Sequence, residues 1–260
     1  MGDGKKIYFG TNKKMYKTIV DTRTFIKELA DITKDINPEH ARLFVIPSYT
    51  ALAEAKKMLQ DTNIKLGAQN MCWADEGEFT GEISPVMLKE IGIDIVEIGH
   101  SERRHVLGES DFQTKMKVEA SIRHGMTALL CIGETKEQKA YNIQDEILSM
   151  QLKVGLSSIK STDAEKLLWI AYEPVWAIGV NGTPISMSYA AERHKHIRSV
   201  LIDLFGEEIG CNIPVLYGGS VNMDNARPLM SDPNINGLFV GRSAWEAGNY
   251  YKMLKWVLEK

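Results

Sequence analysis

Thr127-Ala-Leu-Leu-Cys-Ile132 and Leu167-Leu-Trp-Ile-Ala-Tyr172 are two short, almost entirely apolar runs near the middle of the chain. Runs of this length, rich in aliphatic and aromatic residues, are typical of buried β-strands. In residues 133–166, which separate them, apolar positions recur at helical spacing. A strand, a helix and a second strand form a crossover unit with parallel strands. The stretch therefore predicts a parallel sheet covered by helices.

The same alternation of apolar runs and helical segments recurs from end to end. Asp111, Ser188 and Asn222 carry side chains that cap helix N-termini, so we expect helices to begin beside them. The runs that predict strands are Ile7–Gly10, Arg42–Ile46, Ile64–Ala68, Ile93–Ile98, Thr127–Ile132, Leu167–Tyr172, Ile213–Tyr217 and Gly237–Val240.

Eight such units favour a closed barrel over an open nucleotide-binding sheet. The first strand is followed by Gly10-Thr11-Asn12-Lys13-Lys14, which lacks the Gly-x-Gly-x-x-Gly spacing of a dinucleotide fold. No linker rich in Pro, Gly or Ser divides the 260 residues. The sequence predicts one α/β domain, residues 1–260, built as a single (β/α)8 barrel with eight parallel strands.

The charge balance excludes polyanion and membrane partners. The chain has 31 basic and 34 acidic residues, a net charge of -3, and no run of about 18 apolar residues that could span a bilayer. Its three cysteines, Cys72, Cys131 and Cys211, are too few for a disulfide framework. With no signal peptide recognisable at the amino terminus, the expected location is the cytoplasm.

Reactive side chains follow the predicted strands at one end of the barrel, where the active sites of such barrels lie. Asn12 and Lys14 follow the first strand, His100 the fourth and Glu173 the sixth. A carboxylate can remove a proton next to a carbonyl while an imidazole and an ammonium stabilise the oxyanion. These residues predict an isomerase of small sugar phosphates.

Two glycine-rich turns on adjacent strands indicate a phosphate site. Backbone N–H groups of Gly218-Gly219-Ser220 and of Gly241, which we expect to lead into a helix, can point at one anion. The apolar stretch that follows Glu173 predicts a lid that excludes water from the site. The lid residues are Pro174, Val175, Trp176, Ala177 and Ile178.

These motifs together resemble the triosephosphate isomerase family over the whole chain. The seven matching segments are Asn12-x-Lys14-Met15, Gly67–Asn70, Phe79–Ser84, Gly99–Arg104, Cys131–Thr135, Tyr172–Gly179 and Tyr217–Val221. The resemblance implies an aldose–ketose isomerase that acts through an enediolate.

By this resemblance Glu173 is the base and His100 the neutral electrophile. Lys14 steadies the substrate oxygens, with Asn12 beside it. The phosphate contacts carry over to Gly179, Ser220 and Gly241. The resemblance implies no cofactor and no metal.

The segment 70–82 matches the loop through which members of this family dimerise. Thr80 is the threonine that reaches the partner's active site in the family. The resemblance therefore implies a homodimer.

Three segments depart from the family pattern. The usual Asn-Trp-Lys is Asn12-Lys13-Lys14, the usual Thr-Gly-Lys ending the lid is Val180-Asn181-Gly182, and the usual second glycine after the eighth strand is Arg242. Arg242 brings bulk and a forked donor to the phosphate edge of the pocket.

The substrate therefore stays open between two sugars. The pair Asn181-Gly182 at the end of the lid, together with Gln69–Asp75 and Gly237–Trp245, resembles the family branch that isomerises four-carbon erythrulose phosphates. One interpretation is a triosephosphate isomerase that converts dihydroxyacetone phosphate to glyceraldehyde 3-phosphate, and the other is an erythrulose phosphate isomerase. A non-catalytic scaffold acting through residues 70–82 is the alternative from another class.

Overall fold

The computed structural model describes residues 6–179, 182–183 and 185–259. Eight parallel strands pair in chain order, and the last closes on the first. This confirms the predicted single (β/α)8 barrel. The strands are β1 (Ile7–Asn12), β2 (Ala41–Ile46), β3 (Ile64–Ala68), β4 (Ile95–Ile98), β5 (Thr127–Ile132), β6 (Leu168–Tyr172), β7 (Val215–Tyr217) and β8 (Gly237–Val240).

Helices cover the outside of the barrel between successive strands. No helix within the described residues is both long enough and apolar enough to cross a membrane. The helices are α1 (Ile19–Thr33), α2 (Leu52–Leu59), α3 (Pro85–Ile91), α4 (Ser101–His105), α5 (Asp111–Arg123), α6 (Lys136–Ala140), α7 (Gln144–Gly155), α8 (Ser161–Leu167), α9 (Met187–Phe205), α10 (Glu207–Gly210), α11 (Met223–Met230) and α12 (Ala247–Leu258).

Two of the three expected helix starts shift slightly. Asn222 caps α11 as expected, accepting from two backbone N–H groups of the first turn. For α5 the cap is Ser110, so that Asp111 is the first helical residue. For α9 the cap is Ser186 instead of Ser188, because the Ser186 hydroxyl accepts the Tyr189 N–H. Ser188 therefore lies within the first turn.

Two strands begin two residues later than their apolar runs. The N–H of Ile93 donates to the carbonyl oxygen of Leu88 in α3, and the N–H of Ile213 donates to that of Ile209 in α10. Because these donors are satisfied by the preceding helical turn, neither residue joins the strand ladder. The apolar runs therefore mark what is buried and not where ladder pairing starts.

Apolar side chains fill the inside of the barrel and leave its carboxyl-end mouth for polar groups. Strand residues are buried on both faces, as expected for a parallel sheet covered by helices. This packed interior lies directly beneath the side chains at the strand ends and supports their positions. The residues that form the inner cluster are Phe44, Ile46, Ile95, Leu129, Cys131, Trp169, Ala171, Leu216 and Phe239.

One buried histidine ties the stability of the barrel to pH. His194 of α9 is fully buried beside the rings of Tyr172 and Tyr217, and this burial lowers its pKa to about 3. Between pH 6.5 and pH 3 the unfolded chain binds a proton here that the folded chain does not, so stability falls as the pH drops. We expect this residue to lower the free energy of unfolding by about 2 kcal/mol from pH 7 to pH 5.

Urea denaturation of the wild type and of His194→Gln at pH 7 and pH 5 measures this contribution. The variant should lose about 2 kcal/mol less than the wild type between the two pH values. His40→Gln, at an exposed histidine, serves as the control and should keep the wild-type dependence. An equal pH dependence in wild type and His194→Gln would contradict the assignment.

Candidate active site

A cavity of about 420 Å³ opens at the carboxyl ends of the strands. Loops that follow β1, β4, β6, β7 and β8 form its walls. Thr80 lies outside it, exposed on the loop before α3. All the other predicted catalytic and phosphate-binding residues line the cavity, namely Asn12, Lys14, His100, Glu173, Gly179, Ser220, Gly241 and Arg242.

Glu173 follows β6 with its side chain almost completely buried at the cavity wall. Its Oε2 lies 3.6 Å from Nε2 of His100 and has no hydrogen-bond partner among the described residues. Gly218 makes room for this carboxylate, because a Cβ there would lie 2.8 Å from Glu173 Cγ. A buried carboxylate oxygen without a partner is destabilising by itself, and it suits a base that accepts a proton from a bound molecule.

His100 caps the short helix α4 with its own ring. Its Nδ1 accepts the backbone N–H of Glu102 at 3.1 Å. An accepting Nδ1 carries no proton, so the proton of the neutral imidazole lies on Nε2, which is the nitrogen nearer to Glu173. The ring can therefore donate a hydrogen bond to a substrate oxygen.

Asn12 and Lys14 form a tight turn after β1. Lys14 adopts a positive φ of 50°, and its N–H donates to Asn12 Oδ1 at 2.6 Å. Gln69 donates from Nε2 to Asn12 Oδ1 and to the Lys14 carbonyl oxygen, at 3.2 and 2.7 Å. The Lys14 ammonium forms an ion pair with Glu102 at 2.6 Å. This turn holds the cation at the cavity, with Gln69 as a support.

Glu97 is a site residue that the sequence analysis missed. It is fully buried in β4 and accepts the Asn12 side-chain amide at 2.7 Å. Burial first, and then the negative charge of Glu173, raise its pKa well above the ordinary range, which favours its protonated form. An acidic residue inside the apolar run Ile95–Ile98 is the signal that could have identified it.

The predicted phosphate residues line the same cavity as Lys14 and His100. Gly179 has a positive φ of 86°, a conformation in which a side chain would be strained. Gly241 is the N-cap residue of a single 3₁₀ turn at Arg242–Ala244, and α12 begins after this turn. The Arg242 guanidinium lies 5.8 Å from the ring of Trp245 and lines the cavity.

The stem of the predicted lid is fixed to the barrel. Val175–Ala177 form a 3₁₀ turn, and the Trp176 indole N–H donates to Glu134 at 3.1 Å. The hydroxyl of Tyr189 donates to the same buried carboxylate at 2.9 Å. The departures at Val180-Asn181 lie outside the described residues. Movement of the lid stays a prediction.

Comparison with known proteins agrees with this geometry. A family model described as triosephosphate isomerase matches residues 7–257. The chain belongs to the triosephosphate isomerase family. Like the family, it is an aldose–ketose isomerase that acts on sugar phosphates. The scaffold alternative has no support from the comparisons.

Three relatives in this family share one name, L-erythrulose-1-phosphate isomerase. The protein of Rhizobium etli is 46% identical over 248 residues, 95% of this chain and 91% of its own. That of Rhizobium rhizogenes is 45% identical, covering 96% and 94% of the two chains. That of Brucella abortus is 44% identical, covering 96% and 95%.

Proposed function

We propose that this isomerase acts on L-erythrulose 1-phosphate and that triose turnover is the lesser activity. The observation that carries the proposal is the sequence identity of 44–46%, over nearly the full length, to the three proteins of that name. Arg242 at the phosphate edge agrees with it, since the family ordinarily has a glycine there. The main sequence expectation, a triosephosphate isomerase in the strict sense, is the less supported of the two.

Glu173 is the proposed base. Its Oε2 removes the proton from C3 of the tetrulose, and the electron pair of the C3–H bond forms the C2–C3 double bond of an enediolate. Nε2 of His100 donates to the developing oxyanion, and the Lys14 ammonium stabilises the same charge. Asn12 holds this turn of the chain in place.

The proton then returns from Glu173 to C2, while the hydroxyl proton of C3 passes to the oxygen on C2. The carbonyl has moved from C2 to C3, which numbered from the other end is an erythrulose 4-phosphate. Both tetruloses are ketoses; on a triose phosphate the same transfer gives an aldose, which is the aldose–ketose reaction of the family. Gly179, Ser220, Gly241 and Arg242 are the proposed phosphate contacts.

Steady-state assays of the purified protein on L-erythrulose 1-phosphate and on dihydroxyacetone phosphate test the proposal. We expect kcat/KM for the tetrulose to exceed that for the triose by about tenfold or more, the scale at which pockets distinguish one carbon unit. A triose kcat/KM near about 10⁸ M⁻¹s⁻¹, with slower tetrulose turnover, would refute it.

We also propose a homodimer formed through the loop 70–82. Apolar side chains are exposed on and around this loop, including Phe79 and Met87, and Met15 is 93% exposed beside the catalytic turn. Thr80 is exposed on the same loop, where it can reach a second copy's site. Exposed apolar side chains of this kind fit a protein partner.

Sedimentation velocity tests the dimer. The wild type should sediment with about twice the mass of one chain, and Phe79→Asp should shift it to one chain at micromolar concentration, because a charge would be buried without a partner. Phe112→Asp, at an exposed apolar residue of α5, is the control. A wild type that sediments as a single chain would contradict the proposal.

A further inference from the structure

A reciprocal pair of hydrogen bonds joins the two loops that carry the ends of the active site. The Lys13 Nζ donates to the Trp245 carbonyl oxygen at 2.6 Å. In return, the Trp245 indole N–H donates to the Asn12 carbonyl oxygen at 2.8 Å. The first loop carries Asn12 and Lys14, and the second carries Gly241 and Arg242.

Trp245 also contacts side chains of both loops through its ring. The Tyr16 ring lies with its centroid 4.7 Å from that of Trp245. The Arg242 guanidinium lies 5.8 Å from the same ring, and the Trp245 N–H donates to the Arg242 carbonyl oxygen. Trp245 therefore contacts both the loop that carries Lys14 and the Arg242 guanidinium of the proposed phosphate site.

Lys13 occupies an environment that is unfavourable for an amine. It is 2% exposed, and its nitrogen lies 3.1 Å from the centre of the Phe25 ring. Desolvation is the main cause that lowers its pKa to about 6. The unfolded chain binds this proton more tightly than the folded chain, so the amine costs stability at neutral pH. Residues that cost stability without an evident structural gain are often retained for function.

We infer that Lys13 and Trp245 are positioning residues that fix the loop bearing Lys14 relative to the loop bearing Arg242. The inference rests on the proposed function only for the identity of the sugar, since both loops serve either substrate. Reacting groups displaced by about 1 Å can lose about 10²-fold in rate. The pair therefore aligns the carbonyl end with the phosphate end.

Lys13→Met and Trp245→Phe each remove one of the two bonds and keep most of the side-chain volume. We expect each to lower kcat by about ten- to a hundredfold on whichever sugar the wild type turns over. The affinity for inorganic phosphate, measured as a competitive inhibitor, should stay within about threefold, because these variants leave Gly241, Ser220 and Arg242 in place. The melting temperature of Lys13→Met should be unchanged or higher.

Two control variants distinguish a loss of loop alignment from a nonspecific effect of substitution on kcat. Lys17→Met removes an exposed ion pair with Glu246 that joins the same segments, and should keep kcat within about twofold. Trp256→Phe replaces a partly exposed tryptophan of α12 and should also keep kcat within about twofold.

The double variant Lys13→Met/Trp245→Phe should lose less than the product of the two single losses, because both bonds hold one alignment. Three results would overturn the inference. The first is a kcat within about twofold of the wild type in both single variants, and the second is an equal loss of kcat in the Lys17→Met control. The third is a parallel loss of kcat, phosphate affinity and melting temperature in the single variants. Assays with both sugars keep this test independent of the substrate, so that a triose-only enzyme would refute the proposed function and still test the pair.

Discussion

Glu173→Gln is expected to lower kcat by about 10³- to 10⁴-fold while the barrel stays folded. The amide cannot take the proton that Oε2 accepts, although it fills the same space beside Gly218. Because that oxygen is buried without a partner among the described residues, replacing the charge should not lower the melting temperature. Turnover and thermal unfolding of the variant check both expectations.

Glu208→Gln is the matched control, since Glu208 is exposed on α10, away from the cavity. It should leave kcat unchanged. A Glu173→Gln protein that turns over at the wild-type rate would show that another group is the base. The buried Glu97 would then be the next carboxylate to replace.

His100→Gln is expected to lower kcat by about 10²- to 10³-fold. The ring is aimed by the bond from the Glu102 N–H to its Nδ1, which leaves Nε2 as the donor toward the cavity. A glutamine amide cannot accept that N–H and also hold a donor at the position of Nε2. Steady-state kinetics measure the loss, and it should fall mainly on kcat because the hydrogen bond strengthens as the oxyanion forms.

His40→Gln provides the control for this substitution, because it changes an exposed histidine at the other end of the barrel sheet. A loss below about tenfold in His100→Gln would mean that Lys14 alone carries the oxyanion. Such a result would contradict the assignment of the imidazole as electrophile.

Much of this architecture could be predicted from the sequence because it depends on local patterns. Apolar runs predicted all eight strands, and Glu173 followed by Pro-Val-Trp-Ala-Ile-Gly marked one wall of the cavity. The helix cap of α9 was misplaced because Ser186 and Ser188 carry the same hydroxyl. Only the backbone geometry decides which of the two accepts an N–H.

The contacts that organise the site depend on long-range geometry. Lys13 and Lys14 are neighbours with the same charge, yet one amine is buried against Phe25 and the other faces the cavity. The positive φ of Lys14 turns the chain between them. The partner of Lys13, Trp245, comes from the other end of the sequence, so no local spacing could indicate the pair.

We propose that this barrel moves the carbonyl of L-erythrulose 1-phosphate by one carbon through proton transfer at Glu173. The most direct measurement is ¹³C NMR of substrate labelled at C2, incubated with the enzyme in D₂O. We expect the labelled carbonyl signal to decline, a labelled carbon bearing a hydroxyl to appear, and deuterium to enter that carbon. A label that stays in the carbonyl, with dihydroxyacetone phosphate isomerised in a parallel sample, would refute this reaction.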